Sequence, residues 1–401
     1  MAATTDPSRP QPGATAEPTD WRAEWADLQG TTYLNFAAHG LLPRVAVQAV
    51  ERALQAKSLP HRVPESQFFE TATLVRTRLS TLLRANPEDI AIVTGAGAGA
   101  ATVGSALRWQ PGDEILIPQG EFPLQHAIWG PLAARHQLTL RIVEPRGPFI
   151  HTADLIAALG PRSRVVSASH VRFDDGALLD VEPLSAACRA RGVLLLLDVS
   201  QSCGAMPLDV DALGADVLIA AGYKYLLGPW GTGFLWIRRG CLDALGPLPF
   251  NWMAQGAQEF AALRYTDPAP AAGAMCLDAA EYASPYNFNL AAMAAALELV
   301  LRADPAVILQ HNRALIDQLY AGLPLPCQPA SPQVAAQRGS FGCFGAGSPA
   351  QTSQIFERLR QHHVIVALRQ GRIRVAPHLC TTPQDIDRVL AILHDFAKES
   401  P

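Results

Sequence analysis

Residues 193–238 read VLLLLDVSQSCGAMPLDVDALGADVLIAAGYKYLLGPWGTGFLWIR, and the fold class follows from them. Val193 to Leu197 is apolar without alternation, the pattern of a central parallel strand covered by helices on both faces. Val217 to Ala221 repeats that pattern, and Gly233 to Ile237 (GFLWI) resembles a hairpin or edge element. Working outward, Ile90–Val93, Ile115–Ile117, Thr139–Val143 and Val165–Ser169 are further strand candidates. Leu74 to Leu83 has helical spacing. Strands separated by helices of about a dozen residues indicate βαβ units, so an α/β fold with a mostly parallel sheet is expected.

The texture changes after the Ala-rich helix expected over Leu290–Leu301. A helix near Val307–Tyr320 stops at Gly322, and a Pro-rich connector follows from Pro324 to Pro332. Ser340–Phe344 and Ile373–Val375 read as strands, with a helix near Ser353–His362 between them. The last helix, Thr382–Phe396, opens on a Thr cap followed by Pro383 at its first position. The expected organisation is a disordered tail over 1–20, a large domain over 21–297 and a smaller α+β domain over 298–401. The first ~25 residues of the large domain are expected to pack with the small one.

The 401 residues carry a net charge of −4, with 32 Lys plus Arg against 36 Asp plus Glu. That balance, with no basic run, argues against a surface that grips nucleic-acid phosphates. No apolar run approaches the roughly 18 residues that span a bilayer. The N-terminus has neither a basic start nor an apolar segment, so it does not read as a signal peptide, and a cytoplasmic protein is expected. Seven cysteines without a C-x-x-C pair fit reduced thiols, and His362–His363 lacks a visible third metal ligand.

Asp198 ends the buried strand, Gln201 follows in DVSQ, and Lys224 lies 26 residues beyond Asp198. In open α/β sheets ligands sit at the carboxyl ends of strands, where both Asp198 and Lys224 would point. A carboxylate and a lysine so placed are what pyridoxal phosphate needs: an amine for a Schiff base and an acid partner for the ring nitrogen. Each residue also has an ordinary reading, as a cap, a turn former or a solvated loop lysine. The glycines of GAGAGA (95–100) invite a dinucleotide reading, but Ala100 and Thr102 stand around the place of the third glycine. Such a turn can still hold one phosphate at a helix N-terminus.

Taken together, GAGAGA, EFP (121–123), SHVRFDDG (169–176), DVSQSCG (198–204), GYKYLLGPWGTGFL (222–235) and IRVAPH (373–378) resemble the class V aminotransferase family of fold-type I pyridoxal phosphate enzymes. The likeness runs from Tyr33 to Leu393 and is strongest to the isopenicillin-N-epimerase-like subgroup, which includes epimerases, carbon–sulfur lyases and transaminases. The resemblance implies that Lys224 forms the Schiff base and carries the Cα proton. It implies that Asp198 pairs with the pyridine nitrogen, Gln201 donates to the phenolic oxygen and Phe122 stacks on the ring. Gly97, Ala98 and Gly99 would offer backbone N–H groups to the phosphate, with Tyr223 beside them. EYASPYN (281–287) resembles a turn that reaches the neighbouring subunit's phosphate, which places Ser284 in a site shared across a homodimer. Arg374 matches the arginine that forks onto the substrate α-carboxylate.

Several positions depart from the family. Ala98 and Ala221 stand where relatives carry Thr and Ser, and Tyr223 where the desulfurase branch has His. Phe173 replaces an Asn that many members place over the cofactor. Arg172 either faces the substrate or pairs with Asp174 or Asp175. His39 either lies near the site mouth, with Arg369, or serves as a local hydrogen bonder. The loop before Arg374, VALRQGRIRV, has no cysteine, which disfavours desulfurase chemistry, and Cys343 and Cys380 read as buried thiols. The expected function is an aminotransferase acting on an amino acid, with an epimerase or C–S lyase as the alternative. A catalytically retired cofactor- or ligand-binding module is the reading from another class, and a dehydrogenase rests only on the glycine-rich loop.

Overall fold

The computed structural model describes residues 20–65, 67–246, 252–257, 260–278 and 287–399. A two-residue strand, β1 (Thr32–Tyr33), precedes seven strands that share one sheet: β2 (Ile90–Val93), β3 (Glu114–Pro118), β4 (Thr139–Val143), β5 (Ser163–Ser169), β6 (Leu194–Asp198), β7 (Val217–Ala221) and β8 (Gly233–Ile237). Their spatial order is β2-β8-β7-β6-β5-β3-β4. β8 runs antiparallel to both neighbours, and the pairs among β3 to β7 are parallel. The hairpin expectation for Gly233–Ile237 holds, but the edge expectation does not. β2 adds outside β8, so all five β8 residues are buried.

Alternate residues of the same strands serve two cores. Ile90, Leu195, Leu197, Leu218 and Phe234 face one core, under the helices Arg44–Ser58, Gln67–Leu83 and Phe288–Ala303. Ala91, Leu196, Ile219 and Leu235 face the other, under Ala96–Ala106 and Pro123–His136. This is the physical reason that VLLLL shows no alternation: neither face of β6 meets water. At about 25 cal/mol per Å² of apolar surface, each buried Leu contributes roughly 1.5–3 kcal/mol to holding the layers together.

The second sheet is antiparallel and contains β9 (Gln328–Pro329), β10 (Gly342–Gly345), β12 (Ala367–Arg369) and β13 (Arg372–Val375), in the order β12-β13-β10-β9. Between β10 and β12 lies β11 (Val364–Ile365), which instead pairs in parallel with β1. Helices Pro305–Gly322, Pro349–Gln361 and Pro383–Glu399 close a third core around Phe344, Ile373 and Val375. The Thr382 cap is present as a reciprocal pair: Thr382 N–H donates to Asp385 Oδ2 at 2.9 Å, and Asp385 N–H reaches Thr382 Oγ1 at 3.4 Å. Sequence reasoning started the preceding helix four residues too late, because Ser348 caps it just before Pro349 by accepting from Gln351 N–H. Among the described residues, no helix is long and apolar enough to cross a membrane.

Candidate active site

The carboxyl ends of β2, β3, β5, β6 and β7 all open on one side of the large sheet. After β7 the chain makes a glycine-bounded turn, closed by Gly222 N–H to Thr232 O at 2.8 Å and Gly228 N–H to Gly222 O at 2.8 Å. Lys224 sits in this turn, partly buried, with Nζ 5.7 Å from the Phe122 ring centre and 6.0 Å from that of Tyr223. Loss of solvation drives its amine down to about 8. The Arg374 charge adds to that effect, while Asp198 opposes it. Gly40 packs on the backbone of this turn, donating N–H to Tyr223 O at 2.7 Å. A Cβ there would lie 2.1 Å from the Lys224 carbonyl oxygen, so only glycine fits.

Asp198 ends β6 beside that turn, and its Oδ1 accepts from Ser200 N–H at 2.8 Å. Gln201 is buried, and its amide nitrogen donates to Ala37 O at 2.9 Å. Its Oε1 is buried with no partner, so one amide hydrogen and the carbonyl oxygen remain uncommitted. Phe122, at the N-cap of helix Pro123–His136, is 40% exposed and stands edge-on to Phe173 with ring centres 5.2 Å apart. Tyr223 stacks flush on Trp230, 4.0 Å between centres and 5° between planes. His39 completes the group, 5.2 Å from Trp230, so its ring borders the lysine turn while its N–H bonds Asn35 O. Trp230 is 61% exposed and was not singled out by the sequence.

The GAGAGA turn leads from β2 into helix Ala96–Ala106, whose N-cap, Gly95, carries no side-chain cap. The first N–H groups of a helix lack intrahelical acceptors, which leaves those of Ala96, Gly97 and Ala98 available. Gly99 corrects the expectation. Its N–H is committed to Gly95 O at 3.2 Å, closing the first turn. The reason for glycine there is packing: a Cβ on Gly99 would meet Ile219 Cγ2 at 2.9 Å, and one on Gly97 would meet Leu124 Cδ1 at 2.8 Å.

Arg374, on β13, is 2% exposed, lies over Phe341 and donates from Nη1 to Phe173 O at 2.6 Å. It thus reaches the large-sheet site from the second sheet. Arg172 goes elsewhere. It is 5% exposed, donates from Nη2 to Gly120 O at 2.7 Å, and pairs with Glu121 at 3.4 Å and Asp174 at 3.3 Å. Of the two neighbouring carboxylates, Asp174 is the one it meets. Ser284 lies outside the described residues.

Glu121 was quoted in EFP but given no part. It is buried, takes Ser169 N–H at 2.8 Å and Ser169 Oγ–H at 2.6 Å, and receives Phe122 N–H at 3.2 Å. Burial raises its pKa against the pull of Arg172. His170, next to Ser169, shares a 3.0 Å contact with Ser202 Oγ, and burial lowers its pKa to about 4, so the ring is neutral. Glu121 stands three residues past the carboxyl end of β3, the region where ligands gather in such sheets, and that place was the available signal. The thiols are uniformly held back: burial pushes Cys343 and Cys380 up to about 12.

A family model described as aminotransferase class-V matches residues 32–381. The chain is similar to an isopenicillin N epimerase of Streptomyces clavuligerus, 27% identical over 404 residues that cover 94% of this chain and 99% of that protein. It is 26% identical to an uncharacterized aminotransferase of Bacillus subtilis, over 92% and 95% of the two chains. Among solved structures, the cystine C–S lyase C-DES in complex with its product cysteine persulfide aligns with a TM-score of 0.80 at 28% identity, covering 92% and 98%. A lysine-to-alanine mutant of C-DES with glycine covalently linked to the PLP cofactor gives 0.82 at 27%, covering 94% and 100%.

Proposed function

The chain belongs to the aminotransferase class-V family of pyridoxal phosphate enzymes, and from that premise we propose that it is an aminotransferase acting on a free amino acid through Lys224. The observation that carries this reading is the Lys224 amine, held near pKa 8 between Phe122, Tyr223 and the opposed charges of Asp198 and Arg374. An amine so placed keeps a minor neutral fraction near physiological pH, far larger than an ordinary lysine, and that fraction accepts a proton readily.

The residues present fit the cofactor. The uncapped helix start at Gly95 leaves the N–H groups of Ala96, Gly97 and Ala98 for a phosphate, and the exposed face of Phe122 takes a planar ring. Bound pyridoxal phosphate supplies a carbonyl for a Schiff base and a ring that accepts the electron pair of Cα. Asp198 holds a proton on the ring nitrogen, and Gln201 uses its remaining N–H on the phenolic oxygen. Tyr223 and, from the second subunit of a homodimer, Ser284 complete the phosphate contacts. Arg374 forks onto the substrate α-carboxylate, and His39 with Trp230 lines the mouth. Arg172 is engaged by Glu121, Asp174 and Gly120, which favours the pairing role over reading the substrate.

Amino transfer would ask for one proton carrier on one face of Cα, whereas epimerisation would return the proton to the opposite face. Of the rings flanking Lys224, Phe122 carries no exchangeable proton and Tyr223 is assigned to the phosphate, which favours the reaction that needs one carrier. A second reading, C–S lyase, is favoured by the likeness to C-DES. Incubation with a panel of amino acids and a 2-oxo acid acceptor separates them. Amino transfer to the acceptor supports the proposal, whereas release of pyruvate and persulfide from cystine without transfer replaces it with the lyase.

A further inference from the structure

Three buried charges and a partly exposed fourth alternate in sign between the two sheets. Glu121 holds Phe122 N–H and faces Arg172, and Arg172 faces Asp174 at 3.3 Å. Asp174 Oδ2 in turn meets Arg372 Nη1 at 3.3 Å, and Arg372 lies 4.0 Å from Asp175. Arg372 precedes Arg374 by two residues on β13, so both side chains leave the same face of that strand. The carbonyl that receives Arg374 belongs to Phe173, the residue before Asp174. β13 is therefore gripped twice, at 372 and at 374, by one short loop of the large sheet. Cys343 on β10 adds a third attachment through its Sγ, 3.3 Å from Asp174 O.

Asp174 is 3% exposed, and a carboxylate at that depth costs several kcal/mol unless it is paired. We propose that Asp174, through Arg372, is a positioning residue that sets the distance of Arg374 from Lys224, with Arg172 as the counter-charge on its other side. This rests on the reading of Arg374 as the holder of the substrate carboxylate. The two functional side chains stand on different sheets, and a misplacement of about 1 Å at such a site can cost on the order of 100-fold. The clamp supplies the registration that shared backbone hydrogen bonds supply within one sheet.

The test is a spectral titration of the holoenzyme with two probes, L-alanine and ethylamine, which differ by the carboxylate. For Asp174→Asn the Kd of L-alanine should rise roughly tenfold while that of ethylamine stays within about twofold. Arg372→Ala, on a partly exposed side chain, should do the same, and the double variant should be no worse than the poorer single one. A thermal melt accompanies each variant, and if Asp174→Asn fails to fold, Arg372→Ala carries the test. If both probes weaken together, or neither does, the clamp has no positioning role. Arg374→Leu separates the two layers of the argument. If it leaves the preference for L-alanine intact, the carboxylate reading fails and the clamp falls with it. If it abolishes the preference while Asp174→Asn does not change it, the clamp alone fails.

Discussion

Asp198 and Lys224 extend from the ends of adjacent strands, β6 and β7, whose backbones share a ladder from Leu196 with Val217 to Asp198 with Ile219. Arg374 reaches the same region from β13, in a sheet whose own ladder runs to Ala367 and Cys343. The first pair is held in place by the backbone of one sheet. The third side chain is held by what crosses between sheets, the Phe173 carbonyl and the Arg372–Asp174 pair. On the proposed roles, proton chemistry would be built into the rigid layer, and substrate reading into a junction that side chains maintain.

Three measurements press on that difference. The largest effect belongs to the rigid layer: Lys224→Ala should lower amino-transfer turnover by about 10⁴-fold or more with the fold intact. Retained turnover would remove the lysine from its role. At the junction, Arg374→Leu should raise KM for the amino acid about 100-fold, the size of one lost charge-assisted fork, with a smaller change in kcat. A loss confined to kcat would move Arg374 from binding to chemistry. The smallest effect concerns the spare acid of the junction. Burial and the neighbouring Asp174 lift Asp175 from the ordinary 3.8 to about 6. Below pH 4 the carboxyl is protonated in folded and unfolded chains alike, so the full stability is present, and it is lost as pH rises through 6. Asp175→Asn should therefore stabilise the protein at pH 8 by about 2 kcal/mol, and the gain should fade below pH 4. Thermal melts across that range check it; a pH-independent difference would mean that Asp175 is not the titrating group.

Much of the rigid layer was legible in the sequence because its constraints are local. VLLLLD states a strand buried on both faces and where it ends, and the spacing to Lys224 allows one short helix and one more strand. Pairing across distance was not legible. What holds Arg172 lies at Gly120 and Glu121, some fifty residues upstream, and nothing in HVRFDD reveals them. The GFLWI strand looked like an edge because its outer neighbour, β2, comes about 140 residues earlier. Gly99 shows a subtler limit. A glycine required by Ile219 in the next layer looks identical, in sequence, to one required by a ligand.

The parallel pairing of β1 with β11 has a consequence for how the protein is made. Thr32 emerges from the ribosome early, yet its partner, Val364, follows about 330 residues later. At roughly 5–20 residues per second the first strand waits tens of seconds for its place. Gly40, seven residues beyond β1, is the glycine seated on the Lys224 turn. A nascent chain halted before residue 364 therefore has its lysine but no partner to anchor β1 behind the loop that packs on it, so the site is finished only once β11 has been made.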